Sequence, residues 1–205
     1  MLGSAMMACG GSPAGEVPYG VGSWPEAGRG NHRALVRVEQ PADAVWARIP
    51  WRRRDPQPET KDVRVFDAAT GRRITNVVRV AITQESGDLV FQPVTVPGIY
   101  EVYYLPYNPP RGNFDDPGTY FAPTNTADPA WLKRHGLTNL FALSPAFSPS
   151  GEESARRPGE GGRAQARAEP WRRLPQAQLL RIEARGERHR MDPMEVIATQ
   201  AEIAQ

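Results

Sequence analysis

The sequence predicts a mostly β protein, an antiparallel β-sandwich with long loops and few helices. Short runs of alternating apolar and polar residues recur through residues 31–107, which is the period of a strand with one buried face. Turn signals separate the runs: DAATG at 67–71, SGD at 86–88 and VPG at 96–98. No helical period lies between them, and close-spaced short strands of this kind pack as antiparallel sheets.

Residues 1–30 are rich in Gly, Pro and Ser and read as a flexible lead-in. His32–Val38 (HRALVRV) sets Ala34, Val36 and Val38 on one face against Leu35 and Arg37. Residues 43–51 (DAVWARIPW) set Val45, Ala47 and Ile49 against Trp46 and Arg48. Strands are predicted at 63–66, 74–83 and 89–92, and another at 99–104. Residues 88–107 (DLVFQPVTVPGIYEVYYLPY) carry the strongest signal, two strands around Pro97-Gly98, expected to pair as a hairpin. The core is therefore expected over 31–107.

Residues 108–147 read as a long loop holding Phe114, Tyr120 and Phe121, with a short helix at 128–135 (DPAWLKRH). Asp128 is its cap, Pro129 its first residue and Gly136 its stop. Residues 148–173 are low in complexity and read as a disordered insertion. Over 174–205 we expect a returning strand at 178–184 (QLLRIEA) and a C-terminal helix from 192. Asp192, Pro193 and Glu195 give that helix a capping-box start. Either that helix docks on the sandwich, or it leads into a further, catalytic domain, which is the reading favoured here.

With 205 residues the chain can bury one real core. A net charge of +2 supplies no basic field for nucleic acid. Cys9 is the single cysteine, which excludes an intrachain disulfide. No run approaches the roughly 20 apolar residues of a membrane span. The short apolar start MLGSAMMACGG lacks early basic residues. Two readings of it stand: the tail of a lipoprotein signal with Cys9 lipidated on an exported protein, or an unstructured start with a spectator thiol.

No constellation for catalysis stands out. Asp115-Asp116 and Glu152-Glu153 are sequence neighbours, whereas glycoside hydrolysis needs carboxylates facing each other about 5–9 Å apart. His32, His135 and His189 form no metal-ligand spacing, and Asn113 with Asp115-Asp116 lacks a calcium-loop pattern. There is no nucleophile elbow and no phosphate loop. Neither a metal nor a cofactor is implied. Arg52-Arg53-Arg54 after Trp51 reads either as an anion grip or as a solvated strand end. Trp46, Trp51 and Tyr104, with Tyr107 and Trp131, are the candidate carbohydrate or interdomain contacts, because sugar faces pack on open rings. Buried, the same rings are ordinary core. Alternation puts Tyr103 and Tyr104 on opposite faces.

Several blocks together resemble a known family: residues 19–38 (YGVGSWPEAGRGNHRALVRV), 44–54 (AVWARIPWRRR), 65–76 (VFDAATGRRITN), 88–107 and 191–199 (MDPMEVIAT). The chain resembles the N-terminal domain of glycoside hydrolase family 123. The resemblance implies a non-catalytic β-sandwich ahead of a separate (β/α)-barrel. It also implies β-N-acetylgalactosaminidase-type, substrate-assisted activity for the whole enzyme, on N-acetylhexosamine-type glycans. The family's Asp-Glu dyad lies in the barrel, and no residue of 1–205 corresponds to it. The implied partner is that barrel, with a glycan as a further partner. The alternative is a stand-alone carbohydrate-binding module, with Trp46, Trp51 and Tyr104 as its platform. A third reading, a complete small glycosidase, finds no carboxylate pair to carry it.

Overall fold

A computed structural model of the protein describes residues 17–25, 27–53, 55–108, 118–138 and 169–186. Ten strands are β1 (Tyr19–Gly22), β2 (His32–Val38), β3 (Val45–Ile49), β4 (Val63–Asp67), β5 (Val77–Ile82), β6 (Gly87–Phe91), β7 (Gly98–Tyr104), β8 (Tyr107–Asn108), β9 (Thr119–Tyr120) and β10 (Gln178–Arg185). One helix, α1 (Pro129–Arg134), and 3-10 turns at Pro58–Thr60 and Pro170–Arg173 complete the described elements. The protein is mostly β, as the alternation predicts.

The strands form a five-stranded sheet in the order β1-β10-β2-β7-β4, a three-stranded sheet β3-β6-β5 and a small β8-β9 pair. The two larger sheets share one core. Ala34, Val36 and Val38 of β2 and Val102 and Tyr104 of β7 meet Val45, Ala47 and Ile49 of β3 and Leu89 and Phe91 of β6. These are the faces that the period-two pattern marks as apolar, and burying them is the main stabilising term of the fold.

The three-stranded sheet is covered on its other face as well. Trp131, Leu132 and Leu137, on and just after α1, pack with Trp171 over Ala44, Val78 and Val90. That second layer explains why β6 is buried at every position rather than at alternate ones. α1 begins and ends as its sequence predicts. The Asp128 carboxylate accepts the Trp131 N–H at 2.8 Å, and Gly136 adopts φ +67° just past the last turn.

Four expectations are corrected. β6 and β7 do not form a hairpin: β6 pairs with β3 and β5, and β7 with β2 and β4, so residues 92–97 arch from one sheet to the other. The lead-in is structured from Tyr19, where β1 joins β10 in parallel and makes the larger sheet mixed rather than antiparallel. The stretch read as a disordered insertion contains an ordered turn at its end, with Trp171 buried. Residues 175–177 then hydrogen-bond along β3 through Pro175 O and the Ala177 N–H, before the chain crosses into β10. The helix expected from 192 lies outside the described residues.

Candidate functional site

Both large sheets have an end at which β10 finishes. There β2, β4 and β6 begin, while β1, β3, β5 and β7 end. We call it the exit end, since the chain leaves the described fold there. A buried charge network closes it.

Arg53 is the centre. It follows the end of β3, where Arg52 takes φ +49° and so turns the next side chain inward. The Arg53 N–H is fixed on Gln84 O at 2.6 Å. Its fully buried guanidinium grips Asp55 with Nε to Oδ2 at 2.5 Å and Nη2 to Oδ1 at 2.9 Å. Such a bidentate, charge-assisted pair is among the stronger polar contacts available to a protein. Nη1 reaches Asn31 Oδ1 at 3.4 Å and His32 Nδ1 at 3.3 Å, and Nη2 donates to the Tyr120 hydroxyl at 3.2 Å. Lys61 Nζ stands 3.4 Å from Asp55 Oδ1 and 3.9 Å over the Tyr120 ring. The Tyr120 hydroxyl donates to the same Asp55 oxygen.

Burial opposes ionisation of Asp55, but the bonds and charge of Arg53, with Tyr120 and Lys61, outweigh it and hold the carboxyl below its usual range. Burial alone would weaken the Arg53 cation, and Asp55 reverses that, raising it above its ordinary value. Burial drives the Tyr120 phenol upward, and its bond to the Asp55 carboxylate does the same. Asp55 is thus an ionised acceptor with both oxygens engaged. It is unsuited to general acid work, which needs a raised carboxyl pKa and a free face.

The surrounding backbone is held in uncommon conformations. Besides Arg52, Gln57 (φ +52°) and Leu105 (φ +50°) lie in the left-handed region. Leu105 N–H bonds Asp62 O at 3.0 Å, and Arg185 N–H bonds Asn31 O at 2.8 Å. The second bond ties the last residue of β10 directly to the network.

The five aromatic candidates separate. Trp51 and Tyr104 lie side by side in the shared core, ring centroids 5.0 Å apart, and Tyr107 packs edge-on to Tyr120 at 6.0 Å. Trp46 and Trp131 are on the far face of the three-stranded sheet. Trp46 packs edge-on to Trp171, while Trp131 Nε1 donates to Asp43 O. Trp51, Tyr104, Tyr107 and Trp131 are buried. Trp46 therefore shares no face with Trp51 and Tyr104, and the three do not line up as one open platform.

Sequence reasoning singles out the Arg52–Arg54 triplet but misses Asp55, Lys61 and Tyr120 as the partners of Arg53. The triplet reads either as an anion grip or as a solvated strand end; the middle arginine is enclosed and grips the protein's own Asp55, and Arg52 is exposed, Arg54 lying outside the described residues. The available signal is Asp55 two residues on, with Lys61 and Tyr120 unpredictable from spacing. Among the described residues no group of three His, Cys, Asp or Glu side chains is placed to hold a metal ion.

Two packed sheets, closed at one end by a buried charge network, define the chain as a β-rich domain. Its family is specific. The profile described as Glycoside hydrolase 123, N-terminal domain, matches residues 22–185, most of the chain, and the protein belongs to that family. No curated protein and no solved structure matches it. None of its described helices is long and apolar enough to cross a membrane.

Proposed function

We propose that the two layers form a β-sandwich that serves as the non-catalytic front domain of a family 123 glycoside hydrolase. The parent enzyme acts on N-acetylhexosamine-type glycans through a separate barrel. The sandwich braces that barrel with its exit end.

The observation that supports this most is the charge network. It lies where β10 ends, it is bonded to Arg185, and it stiffens the loops on that side. A brace needs a rigid face next to the connection it supports. Catalysis by the chain itself finds no support, because the carboxylates of the described core are committed to arginine, lysine or backbone donors.

The test is direct. The purified chain is incubated with aryl N-acetyl-β-galactosaminide, and dye release is followed. No release above the uncatalysed rate is expected. Turnover at about 1 per second or faster, an ordinary enzyme rate, would remove the reading.

A further inference from the structure

The side of the domain opposite the β3–β10 crossing is open between the edge strands β4 and β5. A cleft there plays no part in the bracing role. Its lining includes Asp62, Arg73, Arg79, Thr124 and Thr126, with Ile74 among its apolar members. It has about 370 Å³ of free space that opens to solvent, and its enclosed part has room for water-sized groups only. A headgroup of a few atoms can sit at its open mouth against Arg73, and the enclosed part does not admit a sugar ring.

The charges in the cleft are unevenly matched. Arg64, Arg73 and Arg79 gather round Asp62. The Asp62 carboxylate is already committed, with Oδ1 accepting the Val63 N–H at 3.0 Å and Oδ2 accepting Arg64 Nε at 2.9 Å. Arg73 Nη2 stands 3.7 Å from Oδ2, too far for a hydrogen bond, and its side chain is 37% exposed. Arg79 Nη1 donates to the carbonyls of Glu59 and Lys61 at 2.8 and 2.9 Å, which holds its guanidinium at the β5 side of the cleft. Burial lowers both Arg73 and Arg79 from their ordinary values, and the attraction of Asp62, joined at Arg79 by Glu59, does not offset it. A nearby anion would favour the Arg73 cation. Of the two threonine hydroxyls, that of Thr126 donates to Thr75 O, and that of Thr124 is exposed on the strap over residues 121–127.

We propose that this cleft binds one carboxylate group. Arg73 offers the two-pronged contact, the Thr124 hydroxyl a further donor, and Arg79 positive charge from the β5 side. A guanidinium presents parallel N–H groups at the spacing of carboxylate oxygens, which favours this headgroup over a halide. The carboxylate belongs either to a free acid or to an acidic sugar whose ring stays outside the enclosed part. The inference does not depend on the bracing role.

The experiment titrates acetate, and separately glucuronate, into the full chain at fixed ionic strength with chloride as the balancing ion. The arginine Nε–H resonances report binding. Saturable shifts with Kd on the order of millimolar are expected, as for a single charged headgroup. Arg73→Gln should weaken binding by about tenfold or more, the loss of one charge-assisted pair. Thr124→Val should weaken it less, and Arg37→Gln, at an exposed arginine outside the cleft, should leave it unchanged. Glucuronate binding several-fold tighter than acetate supports the site and assigns it to an acidic sugar. Equal binding supports it as a site for the bare headgroup. Shifts that do not saturate overturn the proposal, as does saturable binding that Arg73→Gln leaves intact or Arg37→Gln weakens equally.

Discussion

Asp55→Asn is the substitution that most severely tests the account of the exit end. The change keeps the shape of the side chain and removes its charge. Arg53 and Lys61 are then two cations beside one another with their shared anion gone. Breaking a buried ion pair by removing one partner costs about 3–5 kcal/mol, and the surplus cation places this case near the top of the range. Arg53→Met is the milder change. It leaves Asp55 with Lys61 at 3.4 Å and the Tyr120 hydroxyl, so the remaining charges still balance, and about 3 kcal/mol is expected. Domains of this kind are stable by about 5–15 kcal/mol, so Asp55→Asn removes a third or more of the total. At about 2–4 °C per kcal/mol for a chain of this size, Tm falls by about 10–20 °C. Urea unfolding followed by near-UV circular dichroism, with thermal melts beside it, measures both variants, and the double variant gives the coupling energy. A loss under about 1 kcal/mol for Asp55→Asn would refute the reasoning. So would Arg53→Met proving clearly the more damaging of the two.

Other outcomes follow from single contacts. Because the folded Asp55 pKa is depressed, its stabilisation is fully present above the unfolded value near 3.9 and is lost as pH falls through the lower folded value; the wild-type urea midpoint should fall on acidification below about pH 4, with a shallower fall in Asp55→Asn. Gly87→Ala places a Cβ 2.0 Å from the Trp51 ring, and overpacking there should cost about 1–3 kcal/mol by the same unfolding assay. Asp128→Ala removes the α1 cap and should cost about 1 kcal/mol, whereas Trp131→Ala removes the ring that holds α1 on the sheet and should cost about 3–5 kcal/mol; equal effects would mean that the helix is not held by that face.

The sequence carries local facts well and long-range ones poorly. The alternation in β2 and β3 predicts which side chains enter the core, and Asp128, Pro129 and Gly136 predict both ends of α1. These signals act between residues a few positions apart. The partner of each strand is not local. Phe91 and Gly98 sit on either side of a Pro-rich bend that suits a hairpin and an inter-sheet arch equally, and alternation is the same in both. β1 has the sequence YGVG, with little strand propensity, and forms because β10 offers it an edge from the far end of the chain. The network was hidden for another reason: an arginine between two arginines reads as solvated unless its acceptor is known. Asp55 was in plain view, but the φ of Arg52 that brings the pair together leaves no mark in composition. The cleft between β4 and β5 depends on strand order and on the strap at 121–127, so no motif announces it.

α1 and the Pro170–Arg173 turn lie on one face of one sheet, and a Cβ at Gly136 would stand 3.9 Å from Pro170. The chain thus leaves the described fold after residue 138 and rejoins it at 169 almost where it left. Trp131 and Leu137 on the one side and Trp171 on the other cover the same apolar patch of Val78 and Val90, although 40 positions separate Trp131 from Trp171. Removing either tryptophan therefore uncovers the patch that the other also shields, so the two substitutions should be non-additive in stability.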